Sequence, residues 1–152
     1  MLSNIIEEEL IQLNVQANDW EDAIRKGVYP LVSKGKVTEE YVNKIIEIAH
    51  STGPYIVITK HVALPHAPSQ YGAKEQAVGI TTLETPVIFG NEANDPVKYL
   101  FCLSTVDSSS HLEIITELVG LLEKREFFKL LDNATDPSEI LDYLKKVEQI
   151  QQ

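Results

Sequence analysis

The run from Val97 to Val106 constrains the fold of this chain more than any other segment. Almost all of it is apolar, and it lacks the alternation of a strand with one wet face, so it reads as a central strand covered on both faces. A strand of that kind needs helices on both sides of its sheet. Amphipathic segments elsewhere in the chain can supply them.

Asn18 or Asp19 caps a first helix whose apolar residues, among them Trp20, Ile24, Val28 and Leu31, fall on one face. Pro30 lies within that pattern and predicts a kink or an early end, and Gly35 closes the segment. Thr38 opens a second helix with an inner stripe of Tyr41, Val42, Ile45, Ile46 and Ala49, and Gly53-Pro54 stops it near Thr52. Ser110 and Glu113 have the spacing of a capping box, with Ser110 as N-cap of a third helix that is apolar on most sides and therefore expected to be deeply packed. A short helix over 125–131 follows. Asp136, Pro137 and Glu139 then open a last one, with Ile140, Leu141, Leu144, Val147 and Ile150 as its inner face.

Ile11 to Ala17 alternates apolar and polar residues and reads as a half-buried strand. Further strands are expected over 55–58, 61–64, 77–83 and 85–89. Helices before, between and after these strands indicate an α/β fold, a mixed sheet of about five strands with helices on both faces. The chain has 152 residues, 43% of them hydrophobic and 24% charged, and shows no linker or repeat, so one domain over 1–152 is expected.

The formal charge of -10 argues against nucleic acid and against an anionic membrane surface, and suits basic or neutral protein partners. Carboxylates at Glu7, Glu8 and Glu9 interrupt the N-terminal apolar residues, which is not the pattern of a signal peptide, and no apolar stretch is long enough to span a bilayer. The single cysteine, Cys102, falls in the central apolar run and reads as a buried, inert thiol, so a reducing cytoplasm is the expected compartment.

Four histidines carry the available chemistry: His50, His61, His66 and His111. His66 ends an apolar strand on a segment stiffened by Pro65 and Pro68. A neutral imidazole is a reversible nucleophile near neutral pH, so a rigidly presented one suits group transfer. A strand-end histidine with a structural hydrogen bond fits the same spacing. His111 lies in the first turn of the third helix, beside Ser108, Ser109 and Ser110, where unpaired N–H groups and the helix dipole favour an anion such as a phosphoryl group. A surface histidine on a plainly capped helix is the alternative. His61, beside Lys60, is expected to be exposed and incidental. The four histidines lack the close, same-face spacing of common zinc sites, so no metal is expected.

Val62-Ala63-Leu64-Pro65-His66-Ala67 resembles the phosphorylation-site motif of the mannitol/fructose-type IIA proteins of the bacterial sugar phosphotransferase system. The block from His111 to Leu122 resembles that family's later histidine block, and the likeness runs over nearly the whole chain. The resemblance implies a cytoplasmic phosphocarrier without metal or organic cofactor. The phosphocarrier protein HPr would phosphorylate His66 on Nε2, and His66 would pass the group to a cysteine of a cognate IIB protein or domain. His111 would donate a hydrogen bond to the phosphoryl oxygens, with Ser110 beside it. The resemblance leaves room for a homodimer.

Thr52-Gly53-Pro54-Tyr55-Ile56-Val57-Ile58, Asn94-Asp95-Pro96-Val97 and Ser104-Thr105-Val106-Asp107 resemble the L-ascorbate branch more than the mannitol branch. Two features depart from the family. Pro68-Ser69-Gln70 lacks the basic residue that many ascorbate-type members carry there. His50 stands where the mannitol branch has an arginine, and it could either replace that cation near the phosphoryl group or simply pair with a carbonyl at a helix end. A regulatory IIA-like protein, of the nitrogen-related or transcription-regulator type, would use the same His66 to signal by phosphorylation-dependent binding, and a mannitol/fructose-specific IIA is a further alternative.

Overall fold

A computed structural model describes residues 2–151, so Met1 and Gln152, the ends of the expected domain, lie outside the described residues. Among these residues the chain forms β1 (Ile11–Val15), α1 (Trp20–Ser33), α2 (Glu39–Thr52), β2 (Val57–Thr59), β3 (Val62–Ala63), β4 (Ala77–Val87), β5 (Val97–Ser104), α3 (Ser108–Leu122), α4 (Arg125–Asn133) and α5 (Pro137–Gln151). The strands form one sheet in the order β1-β4-β5-β3-β2. The pairs β1/β4 and β3/β5 are parallel, while β4/β5 and β2/β3 are antiparallel, so the sheet is mixed as expected.

Helices cover both faces. Leu100 and Cys102 of β5 face one core, which packs Ile24, Leu31, Tyr41 and Ile45 of α1 and α2. Tyr99, Phe101 and Leu103 face the other, against Ile114, Leu118, Phe127, Ile140 and Leu144 of α3, α4 and α5. This explains the apolar run from Tyr99 to Leu103 in β5, since each buried Leu or Phe contributes about 1.5–3 kcal/mol whichever face it points to. Cys102 is a free, buried thiol, and burial pushes its pKa well above the ordinary range, which makes it unreactive.

Several boundaries differ from expectation. β1 stops at Val15 rather than Ala17, because its pairing with β4 slips between Gln12 and Val15, where Asn14 takes a φ of 57°. The separate strand expected over 85–89 is the end of β4, reached through a register shift between Thr82 and Val87. Pro86, which has no N–H to give to a ladder, lies in that irregular stretch. β5 ends at Ser104, before Val106. Only Val62 and Ala63 of the expected 61–64 strand pair, because His61 sits in a turn with a φ of 68°.

Pro30 does not end α1, which runs on to Ser33. Proline offers no N–H to the carbonyl of Lys26, and Nε2 of Gln12 donates to that oxygen instead, at 2.8 Å. Thr38 caps α2 as expected, accepting from the Tyr41 N–H. The capping box at α5 is also present: Glu139 accepts the Thr135 and Asp136 N–H groups, and Asp136 accepts that of Ser138. Ile150, expected on the inner face of α5, is exposed, and so are Leu112 and Val119 of the supposedly enclosed α3. Only Ile114, Leu118 and Leu121 of α3 are buried, a single stripe against the sheet.

Candidate active site

The parallel strands β3 and β5 end side by side, and the residues leaving their C-terminal ends meet at one edge of the sheet. From β3 comes the segment Leu64 to Pro68, and from β5 come Thr105 and the start of α3. His66 and His111 thereby face each other with ring centroids 5.7 Å apart. Together with Tyr55, Ser69, Thr105 and Ser108 they line a cleft of about 560 Å³. The same two histidines border a second, more apolar cleft of about 490 Å³ with Ile58, Leu64, Ile115 and Val119. Among the described residues lining either cleft there is no lysine or arginine.

His66 is half-buried, and its Nδ1 lies 2.5 Å from the carbonyl oxygen of Leu64. A carbonyl only accepts, so Nδ1 carries the proton and Nε2 keeps its lone pair. Burial moves the His66 pKa below the ordinary value, outweighing the opposing pull of the Leu64 carbonyl, and the neighbouring His111 pushes in the same direction as burial. The ring is thus held neutral, in one tautomer, with its nucleophilic nitrogen defined.

The backbone around it is tied down. The Leu103 N–H donates to the Pro65 carbonyl at 3.0 Å. The Tyr41 hydroxyl accepts the Ala67 N–H at 3.1 Å and donates to the Leu103 carbonyl at 2.8 Å. The Tyr55 hydroxyl donates to the carbonyl of His66 itself at 2.5 Å. Burial raises the pKa of both phenols to about 12, so both remain protonated donors near neutral pH.

His111 sits in the first turn of α3, with Nδ1 at 3.3 Å from the Thr105 hydroxyl. The N-cap of α3 is Asp107, not Ser110: its carboxylate accepts the Ser110 N–H at 2.7 Å. The helix therefore starts three residues before the expected first helical position, His111, and Ser110 lies inside its first turn, with Glu113 exposed on the next. The Ser110 backbone bond holds the Asp107 carboxyl below the usual carboxylate range. That carboxylate already occupies the anion-favouring end of α3. Side-chain donors lining the cleft that could meet a second anion include the His111 ring, the hydroxyls of Ser69, Ser108 and Thr105, and the Gln70 amide.

His50 is not brought to this cluster. Its Nε2 pairs with Glu21, its ring stands edge-on to Trp20 at 5.0 Å, and it lines neither cleft. His61 is exposed, as read from the sequence, and bonds through Nδ1 to the Pro96 carbonyl. Sequence reasoning missed Tyr55, Tyr41, Thr105 and Asp107. Asp107 was recoverable, since an Asp three residues before Ser110 is a good cap; the two tyrosines looked like ordinary apolar positions.

Residues 4–147 match the family model described as phosphoenolpyruvate-dependent sugar phosphotransferase system, EIIA 2. The chain is 39% identical over 125 residues, 82% of its own length and 87% of the other's, to a protein of Escherichia coli (strain K12) named provisionally as phosphotransferase IIA component SgcA. It is 33% identical over 144 residues, 94% of each chain, to the ascorbate-specific PTS system EIIA component of Shigella flexneri. The solution structure of the mannitol-specific cryptic phosphotransferase enzyme IIA CmtB from Escherichia coli superposes with a TM-score of 0.82 at 33% identity, over 93% of this chain and 95% of that one.

Proposed function

Since the chain belongs to the EIIA 2 family of the phosphoenolpyruvate-dependent sugar phosphotransferase system, we propose that His66 is its phosphoryl acceptor and that the protein relays the group between two proteins. The observation that carries this reading is the Nδ1 contact to the Leu64 carbonyl, which leaves the lone pair on Nε2. In the first step that lone pair attacks the phosphorus of phosphorylated HPr. The P–N bond to the HPr histidine breaks, and its electron pair returns to that imidazole. In the second step a cysteine thiolate of a cognate IIB protein attacks the same phosphorus, and the P–N bond to His66 breaks. Phosphoryl transfer depends mainly on alignment and on donors to the equatorial oxygens. His111 supplies such a donor, and the hydroxyls of Ser108 and Thr105 serve better than that of Ser110, which lies outside the cleft lining.

The transported substrate we propose is L-ascorbate, on the strength of the ascorbate-specific relatives that match over 94% of the chain. The sugar itself would meet only the membrane component, and this chain would work in the cytoplasm as a single IIA-type domain. No described helix is long and apolar enough to cross a membrane.

The test is uptake of labelled phosphate from phosphorylated HPr, followed by chase with ascorbate-type and mannitol-type IIB proteins. One acid-labile group per chain is expected, with none on His66→Ala. Uptake by His66→Ala at the wild-type rate would end the proposal. A labelled protein that passes phosphate to no IIB would favour the regulatory reading instead.

A further inference from the structure

Beyond Ala63 the reactive segment leaves the sheet. Pro65 and Pro68 have no N–H to offer, and the backbone contact with β5 past that point is the bond from Leu103 to Pro65. Two phenol hydroxyls then do what a neighbouring strand would have done, Tyr41 for Ala67 and Tyr55 for His66. The two differ in what else they touch. Tyr41 is enclosed in the core and bridges backbone to backbone. Tyr55 lines the cleft, and its ring stands edge-on to the His66 imidazole, with centroids 5.8 Å apart and planes at 62°.

The turn that delivers Tyr55 is built for it. Gly53 ends α2 with a φ of 90°, a backbone conformation that side chains rarely tolerate, and the Tyr55 N–H folds back onto the Gly53 carbonyl at 2.8 Å. The imidazole of His66 is thereby bounded by the Leu64 carbonyl, the Tyr55 ring and the His111 ring.

The geometry points to Tyr55 as a positioning residue for His66: its hydroxyl fixes the peptide that carries the imidazole, and its ring limits rotation, so that Nε2 meets the incoming phosphorus in line. The inference rests on the reading of His66 as the phosphoryl acceptor. It is separable from that reading, because ring orientation can be measured without any phosphoryl donor.

Tyr55→Phe keeps the ring and removes the hydroxyl. Its single-turnover rate of phosphoryl uptake should fall roughly tenfold or more, as expected for a slightly misplaced nucleophile. The phosphorylated-HPr concentration for half-saturation should stay unchanged. Nitrogen-15 spectra of the unphosphorylated variant should show His66 losing its single Nδ1–H tautomer. A wild-type rate together with an unchanged His66 spectrum would overturn the proposal. So would an unchanged spectrum alone, even if wild-type protein proved unable to accept phosphate, an outcome that refutes only the acceptor role. Wild-type protein gives a check independent of any variant: the Tyr55 hydroxyl proton should exchange slowly and show through-space coupling to the His66 ring, and the absence of both would also overturn the assignment.

Discussion

Nδ1 of His66 and the carbonyl oxygen of Leu64 are hydrogen-bonded across only two residues of sequence. The chain curls back on itself after Pro65, and the imidazole reads its own backbone. The acceptor that selects the tautomer lies in the same segment, and the Tyr55 hydroxyl bonds the peptide that carries the ring.

The first prediction concerns pH. The native His66 holds its proton less tightly than an ordinary histidine, chiefly because it is buried. Uptake of phosphate should therefore persist below a pH of about 6.5, the value for a free imidazole, and decline only further down. Stability should follow the same asymmetry. The unfolded chain binds the proton first as the pH falls, so this group lowers native stability in the window below about 6.5 and has no effect above it. Denaturant midpoints of wild-type and His66→Gln protein, compared from about pH 5 to pH 8, should converge at the alkaline end and diverge toward acid, with the variant less sensitive.

Removing the second histidine should spare the fold and impair the chemistry. His111→Ala is expected to reduce the rate of uptake by roughly 10²–10³-fold, the usual effect of deleting a donor aimed at developing charge. Thr105→Val should do less, because its hydroxyl is one of several lining the cleft and its contact to His111 is long at 3.3 Å. Rapid-quench measurement of both variants tests the ranking, and equal losses would contradict it.

Gln12 and Pro30 should be energetically coupled. Gln12→Ala leaves the Lys26 carbonyl without its 2.8 Å donor and should cost about 1 kcal/mol. In a Pro30→Ala background residue 30 regains an N–H, and the same substitution should cost less. A double-mutant cycle by urea unfolding would measure the difference.

Gly79 lets β4 approach its neighbours closely. A Cβ there would lie 2.7 Å from Cδ1 of the buried Leu31 and 3.1 Å from the Leu10 carbonyl oxygen. Gly79→Ala should destabilise by about 1–3 kcal/mol, visible as a lower Tm. Gly120→Ala, where nothing lies within 4 Å, should not.

Leu112 and Val119 are 69% and 47% exposed on α3, Val119 lining the second cleft with His111 and Leu112 following His111 in the chain, and they are too apolar to be explained by packing within the chain. Leu112→Asp should change stability by less than about 0.5 kcal/mol. It should raise the concentration of phosphorylated HPr or IIB needed for half-maximal transfer. Titration of transfer rates against each partner would check this.

These residues also show how far the sequence could be read. The stiffened segment at His66 and the helix start near His111 were legible because proline and helix-start chemistry are local. The layered α/β fold was legible because β5 could not be covered on one face alone. Hydrophobicity could not say which apolar residues of α3 face out, since burial depends on what the sheet leaves uncovered. Nor could local pattern place Gln12 on α1, Tyr55 on His66 or His50 on Glu21, because each contact joins segments set side by side only by the fold. The capping serine was misread by trusting one motif, when Asp107 offered the stronger acceptor.

The two cores share one sheet, and the histidine pair is anchored to both layers. The backbone of the His66 segment is tied through Tyr41 to α2, while His111 rides on α3 across the sheet. The distance between the rings is therefore a gauge of how the two layers sit on the sheet. A cavity cut beneath either layer, by Ile45→Ala or by Phe127→Ala, should register there as a change in transfer rate while the molecule is still folded.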